Sequence, residues 1–173
     1  IDLRKDVPWE HLNAVVVSDY DKGYISLDMI QKLIVISAEY GIPIFIDTKK
    51  KDCLHLQNCY LKINEKEYTE AIQHTTSIAF ANQINNHNLH LIVTLGENGA
   101  FYRRDIGTFT YKAHKVDVHD VTGAGDTFLS ALVFQYLHCY DMSEAIKFAI
   151  KAASKTVQKF GTYAPSIQEV NRG

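Results

Sequence analysis

Cysteine is scarce in this chain, and its few copies have no diagnostic spacing. The three cysteines, Cys53, Cys59 and Cys139, are an odd number and include no Cys-x-x-Cys pair. A disulfide framework of a small secreted protein would need an even number at regular spacings. These residues therefore indicate reduced thiols, and we expect an intracellular, cytoplasmic protein.

Long apolar runs and an excess of charge are absent as well. No stretch approaches the roughly 18 to 20 apolar residues that a membrane span needs, and the opening Ile-Asp-Leu-Arg-Lys-Asp lacks the apolar core of a signal peptide. The net charge of −2 gives no electrostatic reason to bind nucleic acid or an anionic membrane. With 46% apolar and 22% charged residues in a chain of 173, and no repeat or linker, we expect one globular domain.

Several familiar ligand motifs are also missing. The chain has no Gly-x-x-x-x-Gly-Lys-Ser/Thr run, and a dinucleotide fingerprint would need a third glycine where Phe128 stands. The eight histidines have no His-Glu-x-x-His spacing. His87 and His90 lie at a predicted helix–strand junction, and His114 and His119 flank a short strand, so we expect surface or loop residues and no metal site.

Strand-like and helix-like segments alternate along the chain. Short β-branched runs predict strands at Ala14–Ser18, Ile42–Ile46, Tyr60–Ile63 and Leu91–Leu95, and a hairpin formed by residues 100–104 and 108–112. Apolar residues at helical spacing predict helices from Ser26 to Gly41, from about Lys66 to Asn85, after the glycines near 125, and from Asp141 to Gly161. This alternation predicts an α/β fold, a mainly parallel sheet with helices on both faces.

Polar residues follow each predicted parallel strand. They occupy 18–23, 47–49, 64–67 and 94–99. The carboxyl ends of parallel strands share one edge of the sheet, and ligands of such folds bind at that edge. Polar loops are expected in any fold, but the agreement of four of them on one edge favours a binding site there.

The segment Asp120-Val-Thr-Gly-Ala-Gly-Asp-Thr-Phe128 is the most informative part of the chain. It precedes a strongly helical stretch, so Gly123, Ala124 and Gly125 are predicted at a helix N-terminus, where backbone amides and the helix dipole favour an anion. Asp126 would lie in the first turn. An anion cradle beside a general base suits phosphoryl transfer to a hydroxyl. Ordinary helix capping gives the same pattern, so both interpretations stand at this point.

The same segment resembles the C-terminal signature of the ribokinase/PfkB carbohydrate kinases. Further matches in the order of that family are Asn64-x-x-Glu67, Thr94-Leu-Gly-x-x-Gly99 and the alanine-rich helix that ends near Gly161. The resemblance covers the chain from Ala14 onward. It implies a ribokinase-like fold in which residues 1–173 are the C-terminal portion of a single kinase domain.

The resemblance implies ATP-dependent phosphorylation of a sugar hydroxyl with Mg²⁺. Asp126 would be the general base, and the amides of Gly123, Ala124 and Gly125 would neutralise charge on the transferred phosphoryl group.

Asn64 and Glu67 resemble the pair that holds the Mg²⁺ hydration shell and the nucleotide phosphates. A helix N-cap with its partner at the third helical position is an equally sound structural interpretation. The resemblance also places the nucleotide beside Thr94, Gly96 and Gly99, and it implies that small residues of the last helix flank the adenine. These residues are Ala149 and Ala153.

The acceptor is suggested by the first two polar loops. Within the family, Ser18-Asp19-Tyr20-x-Lys22-Gly23 resembles kinases of D-glycero-D-manno-heptose 7-phosphate, and Asp47-Thr48-Lys49 resembles their Asp-Pro-Lys with Thr48 replacing proline. The resemblance implies a 1,7-bisphosphate product, a step towards ADP-heptose and lipopolysaccharide. Asp19, Lys22 and Lys49 are then candidates to bind the phosphorylated sugar, although solvated surface lysines are the commoner case.

The chain also departs from the family pattern. Members carry an N-terminal portion with a glycine-pair motif, most sugar contacts and a β-sheet lid, and none of it occurs here. Catalysis needs positioning and exclusion of water, so we expect these residues alone to have little or no kinase activity. Alternatives are a kinase for another sugar, nucleoside or vitamin hydroxyl, and a non-catalytic nucleotide-binding module. We expect no nucleic-acid or membrane partner, and the full-length protein is a candidate homodimer.

Overall fold

The computed structural model describes residues 2–74, 88–105 and 107–172. Its strands are β1 Val15–Asp19, β2 Ile44–Thr48, β3 Cys59–Asn64, β4 Leu89–Thr94, β5 Ala100–Arg104 and β6 Gly107–Tyr111. Its helices are α1 Leu27–Glu39, α2 Glu65–His74, α3 Ala124–Cys139, α4 Met142–Thr156 and α5 Ile167–Asn171. Within these residues, no helix has the length and apolar character needed to cross a bilayer.

The six strands form one sheet in the order β1 to β6. The pairs β1–β2, β2–β3 and β3–β4 are parallel, with Val17 beside Ile46 and Ile46 beside Leu61. The connections from β4 to β5 and from β5 to β6 are a few residues long. Connections this short permit only antiparallel neighbours. The predicted α/β class with a mainly parallel sheet is therefore confirmed.

The central strands are buried on both faces, which explains their continuous apolar sequences. Ile44, Ile46, Leu61 and Ile63 are all 0–1% exposed. Helix α1 begins at the predicted cap, because the Ser26 hydroxyl accepts a hydrogen bond from the Met29 amide at 3.1 Å.

The chain divides into two compact units. One comprises Ile1–Thr94 and Tyr102–Phe109, and the other Leu95–Phe101 and Thr110–Gly173. The second unit is built on the packing of α3 against α4, and the side chains at their interface are 0–3% exposed: Phe128, Leu132, Ala145, Ile146, Ala149 and Ala152. The expectation that the whole chain is part of a single domain stays a prediction.

Several predicted element bounds were wrong. Strands β1 and β2 extend to Asp19 and Thr48, because the Thr48 hydroxyl donates to the Asp19 carboxylate at 2.8 Å and keeps both polar residues inside the sheet. Helix α2 begins at Glu65 and is described as far as His74. The remainder of the predicted helix, residues 75–85, lies outside the described residues.

Candidate active site

Gly123 is the N-cap of α3 and has φ 78° and ψ 0°, a left-handed conformation that favours glycine. Helix α3 begins at Ala124, and Asp126 lies in its first turn. Gly125 and Asp126 are exposed. The predicted placement of the glycines at an accessible helix N-terminus is confirmed.

One of the three amides predicted to bind an anion is already occupied. The Ala124 amide donates to the Val121 carbonyl at 3.2 Å, which closes a turn before the helix. Within the described part of the chain, no hydrogen bond uses the amides of Gly123 or Gly125. The predicted cradle therefore needs correction to two amides, those of Gly123 and Gly125, with the helix dipole behind them.

Asp120 holds the glycine turn in place. Its carboxylate accepts from the Thr122 amide and hydroxyl at 2.9 and 2.7 Å, and from the Gly161 amide at 2.9 Å. The hydroxyl bond from Thr122 is the main reason why the pKa of Asp120 is lowered. The amides of His119 and Asp120 also donate to the Val157 carbonyl. The turn is thereby fixed to the segment that follows α4, a role that sequence reasoning missed.

A buried hydroxyl fixes the first turn of α3 from the other side. Thr156, the last residue of α4, is 0% exposed. Its hydroxyl lies 3.1 Å from the Thr127 hydroxyl and 3.0 Å from the Tyr163 carbonyl. Thr127 directly follows Asp126, so this contact restricts where the Asp126 backbone can move.

A groove of about 540 Å³ begins at Gly123 and Asp126 and continues along the second unit. Its remaining walls are mostly apolar and come from α3, α4 and the C-terminal segment: Thr127, Ser130, Ala131, Phe134, Phe148, Ala152, Thr162, Tyr163, Ala164, Pro165, Ile167 and Val170. An exposed carboxylate and two available amides thus border a space large enough for a small ligand.

The two alanines of α4 that were predicted to flank an adenine differ in exposure. Ala149 is 0% exposed and offers no surface to an adenine, whereas Ala153 is partly exposed. A second cavity, of about 350 Å³, lies beside α4 and is lined by Thr110, Tyr111, Lys112, His114, Lys147, Ile150 and Lys151. The alanine-rich pattern could not show which face of the helix borders a cavity.

Asn64 and Glu67 form a reciprocal capping box at the start of α2. The Glu67 amide donates to Asn64 Oδ1 at 2.9 Å, and the Asn64 amide donates to Glu67 Oε2 at 2.8 Å. The structural interpretation of this motif is therefore confirmed. No hydrogen bond among the described residues uses Glu67 Oε1 or the Asn64 side-chain amide, so both remain available to a ligand.

This donor set fits Mg²⁺ only through water. The described residues contain no cluster of three or more His, Cys, Asp or Glu side chains that could hold a metal ion. Mg²⁺ keeps several of its waters and commonly uses one or two carboxylates. Glu67, with Asn64 beside it, can bind such waters but cannot enclose a bare ion.

The turn after β4 contains two glycines with different roles. Thr94 is the last residue of β4 and is partly exposed. Gly96 has φ 58° and is exposed, with open space where a Cβ would be. Gly99 is buried, and a Cβ there would lie 2.0 Å from the Tyr111 carbonyl oxygen. Backbone packing therefore explains Gly99, and Gly96 is the more accessible candidate for a nucleotide contact.

Asp19 is 6% exposed, and its carboxylate is engaged within the first unit. It accepts from the Thr48 hydroxyl at 2.8 Å and from the Asp21 amide at 3.0 Å. Lys50 Nζ lies 3.4 Å from Asp19 and 2.6 Å from Asp21. Asp19 thus fixes the end of β1. This structural role explains an aspartate at this position without any contact to a substrate.

The two predicted acceptor lysines, Lys22 and Lys49, are exposed. Lys49 Nζ lies 5.1 Å from the centre of the Tyr20 ring. Sequence reasoning missed Lys50, whose pKa is raised chiefly by its hydrogen bond to Asp21. Three consecutive lysines, residues 49–51, look alike in the sequence, and only the fold shows that Lys50 pairs with Asp19 and Asp21 whereas Lys51 lies 4.0 Å from Glu70.

Acid should loosen the C-terminal wall of the groove. Glu169 accepts a hydrogen bond from the Tyr163 hydroxyl at 2.6 Å and completes a capping box with Ser166. These hydrogen bonds, above all the one from Tyr163, lower the pKa of Glu169 from 4.5 to about 2. Because the pKa of Glu169 is lower in the folded state, its ionised carboxylate contributes its full stabilisation above pH 4.5. This contribution is lost as the pH falls towards 2. Carboxyl NMR should show the low midpoint, and Tyr163→Phe should raise it. An ordinary midpoint in the unchanged protein would contradict this assignment.

Comparison with known proteins settles the family. The profile of the pfkB family carbohydrate kinases matches residues 7–169. The chain belongs to this family. The bifunctional protein HldE of Campylobacter curvus is 36% identical over 174 residues, which cover 93% of this chain and 36% of that protein. HldE of Sulfurimonas denitrificans is 33% identical, with coverage of 97% and 36%. The pfkB chain thus spans little more than a third of these curated relatives.

Solved structures agree on the fold. Ribokinase from Thermotoga maritima superposes with a TM-score of 0.74 at 19% identity, covering 98% of this chain and 60% of that one. Arabidopsis thaliana ribokinase, complexed with ribose and ATP, gives 0.74 at 21% identity, with coverage of 95% and 56%. The ribokinase-like fold predicted for this pfkB chain is confirmed.

Proposed function

We propose that this chain supplies the base and the nucleotide side of an ATP-dependent kinase, whose acceptor is a hydroxyl of heptose 7-phosphate. The carrying observation is an exposed Asp126 in the first turn of a helix whose Gly123 and Gly125 amides are available. We further propose that the kinase is cytoplasmic and uses Mg²⁺.

In the proposed reaction, Asp126 accepts the proton of the acceptor hydroxyl as the hydroxyl oxygen bonds to the γ-phosphorus of ATP. The bond from that phosphorus to the bridging oxygen of ADP breaks. The amides of Gly123 and Gly125 donate to the oxygens of the transferred group, and the α3 dipole favours its charge. Asn64 and Glu67 would orient the waters of a bound Mg²⁺, which would screen the phosphate charge.

The nucleotide base is proposed to lie in the cavity beside Ile150, with Lys147 and Lys151 near the phosphates. Lys112, Lys147 and Lys151 make the lining of this cavity cationic, although Lys147 also pairs with Glu144 at 2.8 Å. Gly96 and Thr94 are proposed to border the nucleotide as well.

The heptose assignment rests on the first two polar loops and on the similarity to HldE proteins at 33–36% identity. Lys49 and Lys22 are exposed and remain the proposed partners of the acceptor's own phosphate. Asp19 is retained as the residue that positions the first loop, because Thr48 and Lys50 already occupy its carboxylate.

A nucleotide-binding module without chemistry is the second candidate. This candidate is favoured because the chain matches only 56–60% of the length of the ribokinase chains on which it superposes. We propose that residues 1–173 alone have little or no kinase activity and that the complete kinase also carries the N-terminal portion described above, with a homodimer as its proposed assembly.

Activity assays on both forms test this function. The complete kinase should phosphorylate heptose 7-phosphate faster than fructose phosphates, ribose or adenosine, and the 173-residue chain should bind Mg²⁺ with ADP but show little turnover. A preference for another acceptor would replace the heptose assignment. Nucleotide binding without any turnover in the complete protein would favour the non-catalytic module, and vigorous phosphorylation by the 173-residue chain would contradict the proposed need for more.

A further inference from the structure

A buried ion pair lies across the carboxyl half of the parallel sheet, and neither of its side chains was given an individual role above. Lys62 Nζ is 2.6 Å from Asp47 Oδ2, and the two side chains are 5% and 16% exposed. Asp47 on β2 pairs in register with Ser18 on β1 and with Lys62 on β3. Residues paired in this way project to the same face of the sheet. We call Ser18, Asp47 and Lys62 the polar row.

The polar row opens towards β1. Ile92, paired with Lys62 on β4, is 0% exposed and closes the row on that side. Exposure then rises through Lys62 at 4%, a half-buried Asp47 and an exposed Ser18. A ligand that entered beside Ser18 would therefore meet Asp47 first and the ammonium group of Lys62 behind it.

The pair keeps hydrogen-bonding capacity that the described residues do not use. An ammonium group has three donors, and the one hydrogen bond that Lys62 Nζ makes among the described residues goes to Asp47. In the same part of the chain, Asp47 Oδ1 accepts no hydrogen bond. Buried donors and acceptors are costly when they stay unpaired. A buried ion pair is also weak evidence for stability, because apolar residues of similar volume often serve the fold as well.

The charge of the pair identifies the ligand class. A phosphate would be repelled by Asp47, and a metal cation by Lys62. A hydroxyl is neutral and can donate to Asp47 Oδ1 while it accepts from Lys62 Nζ. We propose that the polar row is a hydroxyl-binding subsite that recognises the polyol chain of the acceptor. This proposal deepens the proposed sugar-kinase function and rests on it.

Acceptor binding by the complete kinase tests the subsite, with ligand-observed NMR as the readout. The ligands are heptose 7-phosphate, inorganic phosphate, and ADP with Mg²⁺. The variants are Ser18→Ala, which changes one exposed side chain, and the double variant Asp47→Asn/Lys62→Met, which removes both charges together so that neither stays buried alone. The control is Lys66→Met, whose side chain is 86% exposed on α2.

The double variant should weaken heptose 7-phosphate binding by about tenfold or more, as expected for lost hydrogen bonds in a buried site. Ser18→Ala should weaken it less, and Lys66→Met should leave it unchanged. Binding of inorganic phosphate and of ADP should not change in any variant. If the double variant fails to fold, Ser18→Ala alone decides, because a loss specific to the sugar supports the subsite and unchanged binding overturns it.

The proposal is also overturned if the folded variants bind the heptose like the unchanged complete kinase, or if that unchanged kinase binds ADP but no heptose phosphate. Failure of the kinase function would look different. Heptose binding that depends on the polar row, in a complete protein that transfers no phosphate, would support the subsite and exclude the reaction.

Discussion

Replacing Asp126 with asparagine should lower the turnover of the complete kinase by a factor of about 10² or more and leave nucleotide affinity nearly unchanged. Asparagine has almost the same shape but cannot accept the hydroxyl proton. The side chain is exposed at the first turn of α3, so the substitution requires no repacking. Steady-state turnover and ADP binding by calorimetry separate the two effects.

Asp28→Asn is the matched control for this prediction. Asp28 is also an exposed acid in the first turn of a helix, here α1. Both substitutions remove a similar favourable interaction with a helix dipole, about 0.3–1 kcal/mol of stability. The control should therefore lose a comparable amount of stability and keep full turnover. Equal loss of turnover and nucleotide affinity in Asp126→Asn would mean that Asp126 has a structural role only.

Gly99→Ala should destabilise the protein by about 3 kcal/mol or more, through strained backbone and overpacking together. Gly99 has φ 94° and ψ −124°. A Cβ there would lie 2.0 Å from the Tyr111 carbonyl oxygen and 2.7 Å from the Ala113 amide nitrogen. Both obstacles are backbone atoms, which cannot rotate away as a side chain would. The free energy of unfolding from urea titration measures the loss.

Gly96→Ala separates the cost of the left-handed backbone conformation from the cost of steric overlap. Gly96 has φ 58°, and no atom lies within 4 Å of the position that a Cβ would take. Alanine there meets only the cost of the left-handed conformation, about 1–2 kcal/mol. The prediction is a clear difference between two glycines that are three residues apart. Equal destabilisation would contradict the close approach of Gly99 to residues 111–113.

Local signals in the sequence predicted the helix starts well. The last long helix was predicted to begin at Asp141, and Asp141 is the N-cap of α4, where its carboxylate accepts from the amides of Ser143 and Glu144 at 2.8 and 3.2 Å. A reciprocal capping box would also need the Glu144 carboxylate to accept from the Asp141 amide. The Glu144 carboxylate instead lies 2.8 Å from Lys147 Nζ. The lysine lies three residues further along the helix, where a salt bridge competes with the return bond. Capping is readable because both partners are close in sequence.

Polar contacts between distant residues were not predictable. The pairs Asp19–Thr48 and Asp47–Lys62 join neighbouring strands, and polar residues at strand ends look like loop residues until their partners are known. The Thr127–Thr156 contact likewise joins positions 29 apart in the sequence. For this reason the strand ends and the supports of the glycine turn were missed, while the turn itself was identified.

Backbone amide NMR tests the central claim most directly. The labelled 173-residue chain would be titrated with Mg²⁺ and a non-hydrolysable ATP analogue, and separately with Mg²⁺ and ADP. The amide signals of Gly123 and Gly125 should move with the triphosphate and much less with ADP, because these amides are proposed to hold the terminal phosphate. If both nucleotides bind and these two signals respond to neither, or respond equally to both, the glycine turn does not receive the transferred group.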